Sequence, residues 1–132
     1  MLANNFCLRA QGAAQAIEDG AVLGHLFEKI SHPSQLPDIL NIYEALRKPR
    51  TSRVVRDSTR GRRILHLPDG PAQEERDRQL QEERPFEGFA HAWADPAMQE
   101  FLYGYDARKE VNRAWDVYLS GQFPLTTNAW KL

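Results

Sequence analysis

The sequence predicts an all-α chain, and three observations carry that prediction. No stretch sustains the period-two alternation that marks a half-buried strand. From Gln11 onward, apolar and small residues recur at three- and four-residue spacings instead. Proline and glycine fall where helices start and stop, as in Asp95-Pro96 and Gly121.

The first helix is expected over residues 10–30. Ala14, Ile17, Ala21 and Phe27 would form its apolar face, with Glu18, Asp19 and Glu28 between them. Gly12, Ala16, Gly20 and Gly24 stand four apart and place small residues on one stripe, where another backbone could come close. Glycine inside a helix costs about 1 kcal/mol against alanine, so its use here suggests a packing need. Ser31-His32-Pro33-Ser34 ends this helix.

A long basic helix follows over residues 36–63, opened by Leu36-Pro37-Asp38 and carried by Ile39, Tyr43 and Leu46. Pro49 predicts a kink or break near Lys48. Residues 64–92 read as a polar linker. In it Leu67-Pro68-Asp69-Gly70-Pro71 is a turn, and Gln73 to Arg84 a solvated helix with ion pairs four residues apart. Phe86 to Trp93 is irregular or a short helix. Terminal helices are expected over 95–119: Asp95 caps the first, Met98, Phe101, Leu102 and Tyr105 give it a face, and Val111, Trp115 and Tyr118 lie on the last. The chain thus reads as one domain, 1–132, with no internal repeat.

Composition excludes several classes. A net charge of -1 exerts no global pull on nucleic acid or an anionic membrane. The longest apolar-leaning stretch, Ala21 to Ile30, contains His25, Glu28 and Lys29 and falls far short of the roughly 20 apolar residues of a spanning helix. Cys7 is the one cysteine, which fits a reducing compartment and a cytoplasmic protein. Met1 to Arg9 has no basic start followed by an apolar run, so no signal peptide is visible. His25, His32, His66 and His91 lack metal-ligand spacing, and no serine sits in a nucleophile elbow. Tyr43, Trp93, Phe101, Tyr105, Trp115 and Tyr118 read as core rather than as a ligand cage.

The informative stretch is Arg9-Ala10-Gln11-Gly12-Ala13-Ala14-Gln15-Ala16-Ile17-Glu18-Asp19-Gly20, a small-residue turn feeding a helix. Such a start offers unpaired N–H groups and the positive end of the helix dipole to a carbonyl or phosphate oxygen. A plain helix packing on a neighbour would use the same residues. Arg47, Lys48, Arg50, Arg53, Arg56, Arg60, Arg62 and Arg63 form a basic run with Asp57 as the nearby opposite charge. With no stacking aromatics among them, they read as a solvated face whose arginines pair with acids elsewhere, not as a nucleic-acid surface.

The stretch resembles the closing part of the second flavin-binding motif of the flavoprotein aromatic hydroxylases, in their salicylate-hydroxylase-like branch. Ala10-Gln11-Gly12 matches the turn and Glu18-Asp19 the acidic pair. Tyr43-Glu44-Ala45-Leu46-Arg47-Lys48-Pro49-Arg50, His66-Leu67-Pro68-Asp69-Gly70-Pro71 and Leu102-Tyr103-Gly104-Tyr105-Asp106 resemble later segments of that family, in the same order. The family's Gly-Asp opening is missing, Ala14 stands where many members carry asparagine, and no Gly-x-Gly-x-x-Gly occurs.

The resemblance implies the carboxy-terminal helical part of an α/β FAD-binding monooxygenase fold, without its Rossmann half and sheet. It implies FAD as cofactor, NADH or NADPH as reductant, and dioxygen with a small aromatic substrate, in a protein complete only with upstream sequence. It assigns flavin contacts to Gln11, Gly12, Ala13 and Ala14, through backbone donation from the last three. It names no catalytic residue and no metal ligand, and leaves the oligomeric state open. The competing class is a non-enzymatic helical module that interacts through its arginine helix.

Overall fold

The structure, a computed structural model, describes residues 11–81, 87 and 94–123. Those residues hold α1 (Gly12–Phe27), a 3-10 turn (Pro33–Gln35), α2 (Leu36–Leu65), α3 (Pro71–Leu80), α4 (Pro96–Tyr103) and α5 (Ala107–Leu119), with no strand among them. The all-helical expectation therefore holds for the described residues, and each predicted helix among them has a counterpart. The segment from Phe86 to Trp93, apart from Glu87, lies outside the described residues, as do Cys7 and His91.

The helix boundaries follow local chemistry. Between α1 and α2, His32 Nδ1 accepts from the Ser34 N–H at 3.2 Å, and Gln35 Oε1 accepts from the His32 N–H at 3.1 Å. These bonds satisfy donors that the incoming helix leaves unpaired. Asp95 Oδ1 accepts from the N–H groups of Ala97 and Met98 at 2.9 and 3.3 Å, the predicted cap. Asp106 Oδ1 does the same for Lys109 at 3.0 Å. Gly121 ends α5 with φ +71°, in the left-handed region where glycine alone is unstrained.

One compact unit comprises residues 11–54 and 106–123. Its apolar core is Val22 and Leu26 from α1, Ile39, Ile42, Ala45 and Val54 from α2, and Val111, Ala114 and Trp115 from α5. Each large aliphatic side chain fully removed from water contributes about 1.5–3 kcal/mol. Tyr118 Oη donates to Asp38 Oδ2 at 2.8 Å, tying α5 to the start of α2. The second unit comprises residues 55–105. There Leu102 is buried, and Arg76 Nη1 from α3 donates to the carbonyls of Ile64 and Leu65 at 2.9 and 3.3 Å, capping the end of α2. No residue of α3 is buried, in keeping with a solvated helix.

Of the kink or break expected near Lys48, the break does not occur, because α2 is continuous through Pro49. One expectation needs correction. The buried face of α1 is Gln15, Val22 and Leu26, whereas Ile17 and Phe27 are exposed, Ile17 at 72%. The true stripe was hidden because a glutamine heads it. The small-residue stripe of Gly12, Ala16, Gly20 and Gly24 faces outward, and a Cβ built on Gly20 or Gly24 meets nothing within 4 Å, so among the described residues no backbone approaches it.

Candidate functional site

The start of α1 is open. Its N-cap, Gln11, makes no side-chain cap hydrogen bond, and no acidic residue stands in the first turn. The first backbone bond runs from the Gln15 N–H to the Gln11 carbonyl at 2.9 Å. The N–H groups of Gly12, Ala13 and Ala14 precede it and have no partner within the helix. Gly12 and Ala13 are exposed, Ala14 is half-buried and Gln11 is buried. Four residues thus form one uncapped terminus whose dipole favours negative charge.

Behind that terminus lies a buried ionic clamp. Arg47, from α2, is 2% exposed. Its Nε donates to Asp19 Oδ1 at 2.6 Å and its Nη1 to Glu18 Oε2 at 2.6 Å. Its Nη2 donates to Gln15 Oε1 at 2.9 Å and to the Gln15 carbonyl at 3.3 Å. Arg50 adds a bidentate pair, Nε to Glu18 Oε2 at 2.6 Å and Nη2 to Glu18 Oε1 at 2.7 Å. Planar guanidinium forks suit such convergent acceptors, whereas lysine would be a single point charge. The clamp straddles Pro49 and so pins α2 on both sides of the residue that should interrupt it.

The electrostatics follow from this packing. Burial pushes the Glu18 carboxyl up, yet the hydrogen bonds and charges of Arg50 and Arg47 together hold it below the usual carboxylate range. The Tyr43 hydroxyl is raised by burial and by the neighbouring Asp19 carboxylate. An open cleft of about 440 Å³ lies beside the clamp, lined by Asp19, Leu40, Tyr43, Glu44, Arg47, Lys48 and Thr51. Among the described residues, no group of three metal-ligating side chains occurs, and no helix is long and apolar enough to cross a membrane.

No family model matches the chain. An FAD-dependent monooxygenase of Beauveria bassiana is 44% identical over 99 residues, which are 74% of this chain and 23% of that protein. Over 74% of its length, this chain is a homologue of FAD-dependent monooxygenases. A 3-amino-4-hydroxybenzoate 2-monooxygenase of Streptomyces cremeus is 35% identical over 98 residues, 74% of this chain and 22% of the relative. A 6-methylsalicylate 1-monooxygenase of Aspergillus terreus is 28% identical over 109 residues, 81% and 21%. The chain therefore spans less than a quarter of the length of these curated relatives.

Against that relationship, Gln11, Gly12, Ala13 and Ala14 stand together at one helix start, as contiguous residues must. Sequence reasoning recognised Glu18-Asp19 and Arg47 to Arg50 as separate segments resembling the flavoprotein monooxygenases. The sequence reading has the arginines pair with acids elsewhere, as Arg47 and Arg50 do with Glu18 and Asp19, but on a solvated face and without naming those partners. The structure brings Glu18, Asp19, Arg47 and Arg50 into one cluster and buries both arginines, at 2% and 7%. Gln15 was missed altogether. The signal available was an acidic pair and an arginine pair, each inside a segment that resembles the monooxygenases.

Proposed function

We propose that this chain is the helical, flavin-facing part of a cytoplasmic FAD-dependent monooxygenase. Its substrate is a small aromatic ring, hydroxylated with dioxygen and with NADH or NADPH as reductant. The observation that carries the reading is the 44% identity to a named FAD-dependent monooxygenase over 74% of the chain. The open, uncapped start of α1 fits the cofactor. Free N–H groups and a positive dipole end suit the pyrimidine edge of a flavin, where negative charge collects on reduction.

When bound, FAD supplies the redox and oxygen chemistry, and the protein supplies orientation and electrostatics. In this chain Gly12, Ala13 and Ala14 offer backbone donors, and the absence of a side chain on Gly12 lets a planar ring come close. Arg47 and Arg50 hold the helix behind that turn, so the donors stay fixed while charge at the ring changes. Gln11 shapes the turn. The basic run is not a nucleic-acid site in this reading, because two of its arginines are consumed inside the protein.

The test is an enzyme-length protein, made by fusing this chain to the remainder of the Beauveria relative, of which it spans 23%. It should purify yellow with stoichiometric FAD and should oxidise NADH or NADPH faster in the presence of a hydroxybenzoate. A Gly12→Val version should purify without flavin. A colourless wild type that consumes neither nicotinamide would sink the proposal.

A further inference from the structure

Every exposed residue of α1 is apolar. They are Gly12, Ala13, Ala16, Ile17, Gly20, Gly24 and Phe27, with Ile17 72% and Phe27 47% exposed. From Ala13 onward they recur in steps of three and four residues, so they share one face. The polar residues of the helix, Gln15, Glu18, Asp19 and His25, are buried or half-buried. A helix at a water boundary normally turns its charges outward and its apolar stripe inward. α1 does the reverse, and it cannot roll over: between them, Arg47 and Arg50 hold Glu18 and Asp19 on the side of α2. At Gly20 and Gly24 the helix backbone itself lies open, since a Cβ built there meets nothing within 4 Å.

The size of this face selects its occupant. From Gly12 to Phe27 it is roughly 22 Å long and about 10 Å wide, on the order of 200 Å². A stable interface between separate proteins buries about 800 Å² on each partner. A second copy of this chain, or a free partner, would also lose translational and rotational freedom on docking, which a segment of the same polypeptide does not. The match to the Beauveria relative occupies 23% of that protein, so more than three quarters of an enzyme-length chain lies outside it. We propose that the outward face of α1 is an internal interface of the enzyme-length protein, covered by an apolar face of that remaining polypeptide. No exposed residue of α1 has a charged or hydrogen-bonding side chain, so the covering face presents aliphatic or aromatic groups. Over Gly20 and Gly24 they reach the helix backbone, which a larger residue at either position would keep away. The inference rests on reading this chain as part of a longer monooxygenase and is independent of where the flavin sits.

The experiment uses the same enzyme-length fusion. Ala16→Cys places a thiol on the face, and Arg78→Cys places one on α3, where the Arg78 side chain is 61% exposed. Reaction with a maleimide is followed by mass spectrometry of the peptides that carry each thiol, alongside light scattering. The Ala16→Cys thiol should react about a hundredfold more slowly than the Arg78→Cys thiol, whatever the protein concentration. Ile17→Asp supplies a second reading that does not depend on labelling. At an exposed site this change is close to neutral, whereas beneath a cover it buries a charge and should lower the melting temperature by about 3 °C or more. Two thiols that react within about threefold of each other, with Ile17→Asp melting like the wild type, overturn the inference. Protection that vanishes on dilution as dimers separate overturns it too, because a second copy is then the cover. A yellow wild type with a reactive Ala16→Cys thiol leaves the flavin reading standing, and a colourless wild type with a protected one leaves only the interface.

Discussion

Glu18 is the residue on which the clamp turns, since it accepts guanidinium hydrogen bonds from both Arg47 and Arg50. Replacing it with glutamine leaves two nearly buried arginines short of their countercharge. Breaking a buried pair from one side costs about 3–5 kcal/mol; Arg47 keeps Asp19 and Gln15, so the loss should fall near 3 kcal/mol at pH 7. The sign with pH follows from the lowered carboxyl. Its contribution is complete above the unfolded value of about 4.5 and is lost as pH falls toward the folded value. Denaturant melts from pH 7 to 3 should therefore show an acid-limb loss in the wild type that is shallower in Glu18→Gln. Equal slopes in the two proteins would mean that Glu18 is not held in its charged form by the clamp.

At the scale of elements, what was legible in the sequence was what is decided locally. Asp95 and Asp106 bond the donors of their own helix starts, and Gly121 supplies a left-handed residue at its own stop. Such features lie within four residues and need no tertiary information. The first helix start, Gln11 to Ala14, was legible for the same reason. The buried face of α1 was not, because Gln15 belongs to it only when Arg47, about thirty residues later, reaches it. The continuity of α2 at Pro49 has the same origin. A helix-interior proline forfeits one backbone bond and is about 3 kcal/mol less favourable than alanine. Here Thr51 Oγ1 donates to the Arg47 carbonyl at 2.9 Å, and Glu18 grips the arginines on either side. Pro49→Ala should accordingly raise stability, by as much as about 3 kcal/mol in a thermal or urea melt. A destabilised Pro49→Ala would show instead that proline at this position helps to bring Arg47 and Arg50 onto the same carboxylate.

For the whole molecule, the chain spans 23% of the Beauveria relative, and its described residues contain one edge of the proposed flavin site. A dinucleotide also needs its pyrophosphate held at a glycine-rich helix start and its ribose held by an acidic group. One exposed helix start supplies roughly 0.3–1 kcal/mol of charge stabilisation, against about 8 kcal/mol for micromolar binding. The 132-residue chain by itself should therefore purify colourless, with an FAD dissociation constant weaker than 100 µM on the order of that shortfall. Equilibrium dialysis measures this directly, and stoichiometric FAD on the short chain would place the cofactor site elsewhere. The outward stripe of Gly12, Ala16, Gly20 and Gly24, with exposed Ile17 beside it, accords with a helix that has more surface to cover than these residues provide.

The depth of the clamp also governs its response to ionic strength. Glu44 with Lys48 and Glu75 with Arg78 are pairs of exposed side chains, and dissolved ions compete for both partners. Around Arg47 there is almost no room for a counterion, since its side chain is 3% exposed. Mobile salt can therefore dissolve the surface pairs while the buried one persists. In concentrated electrolyte the molecule would keep α1 fastened to α2 through Glu18 and Asp19 after its superficial charges had ceased to recognise one another.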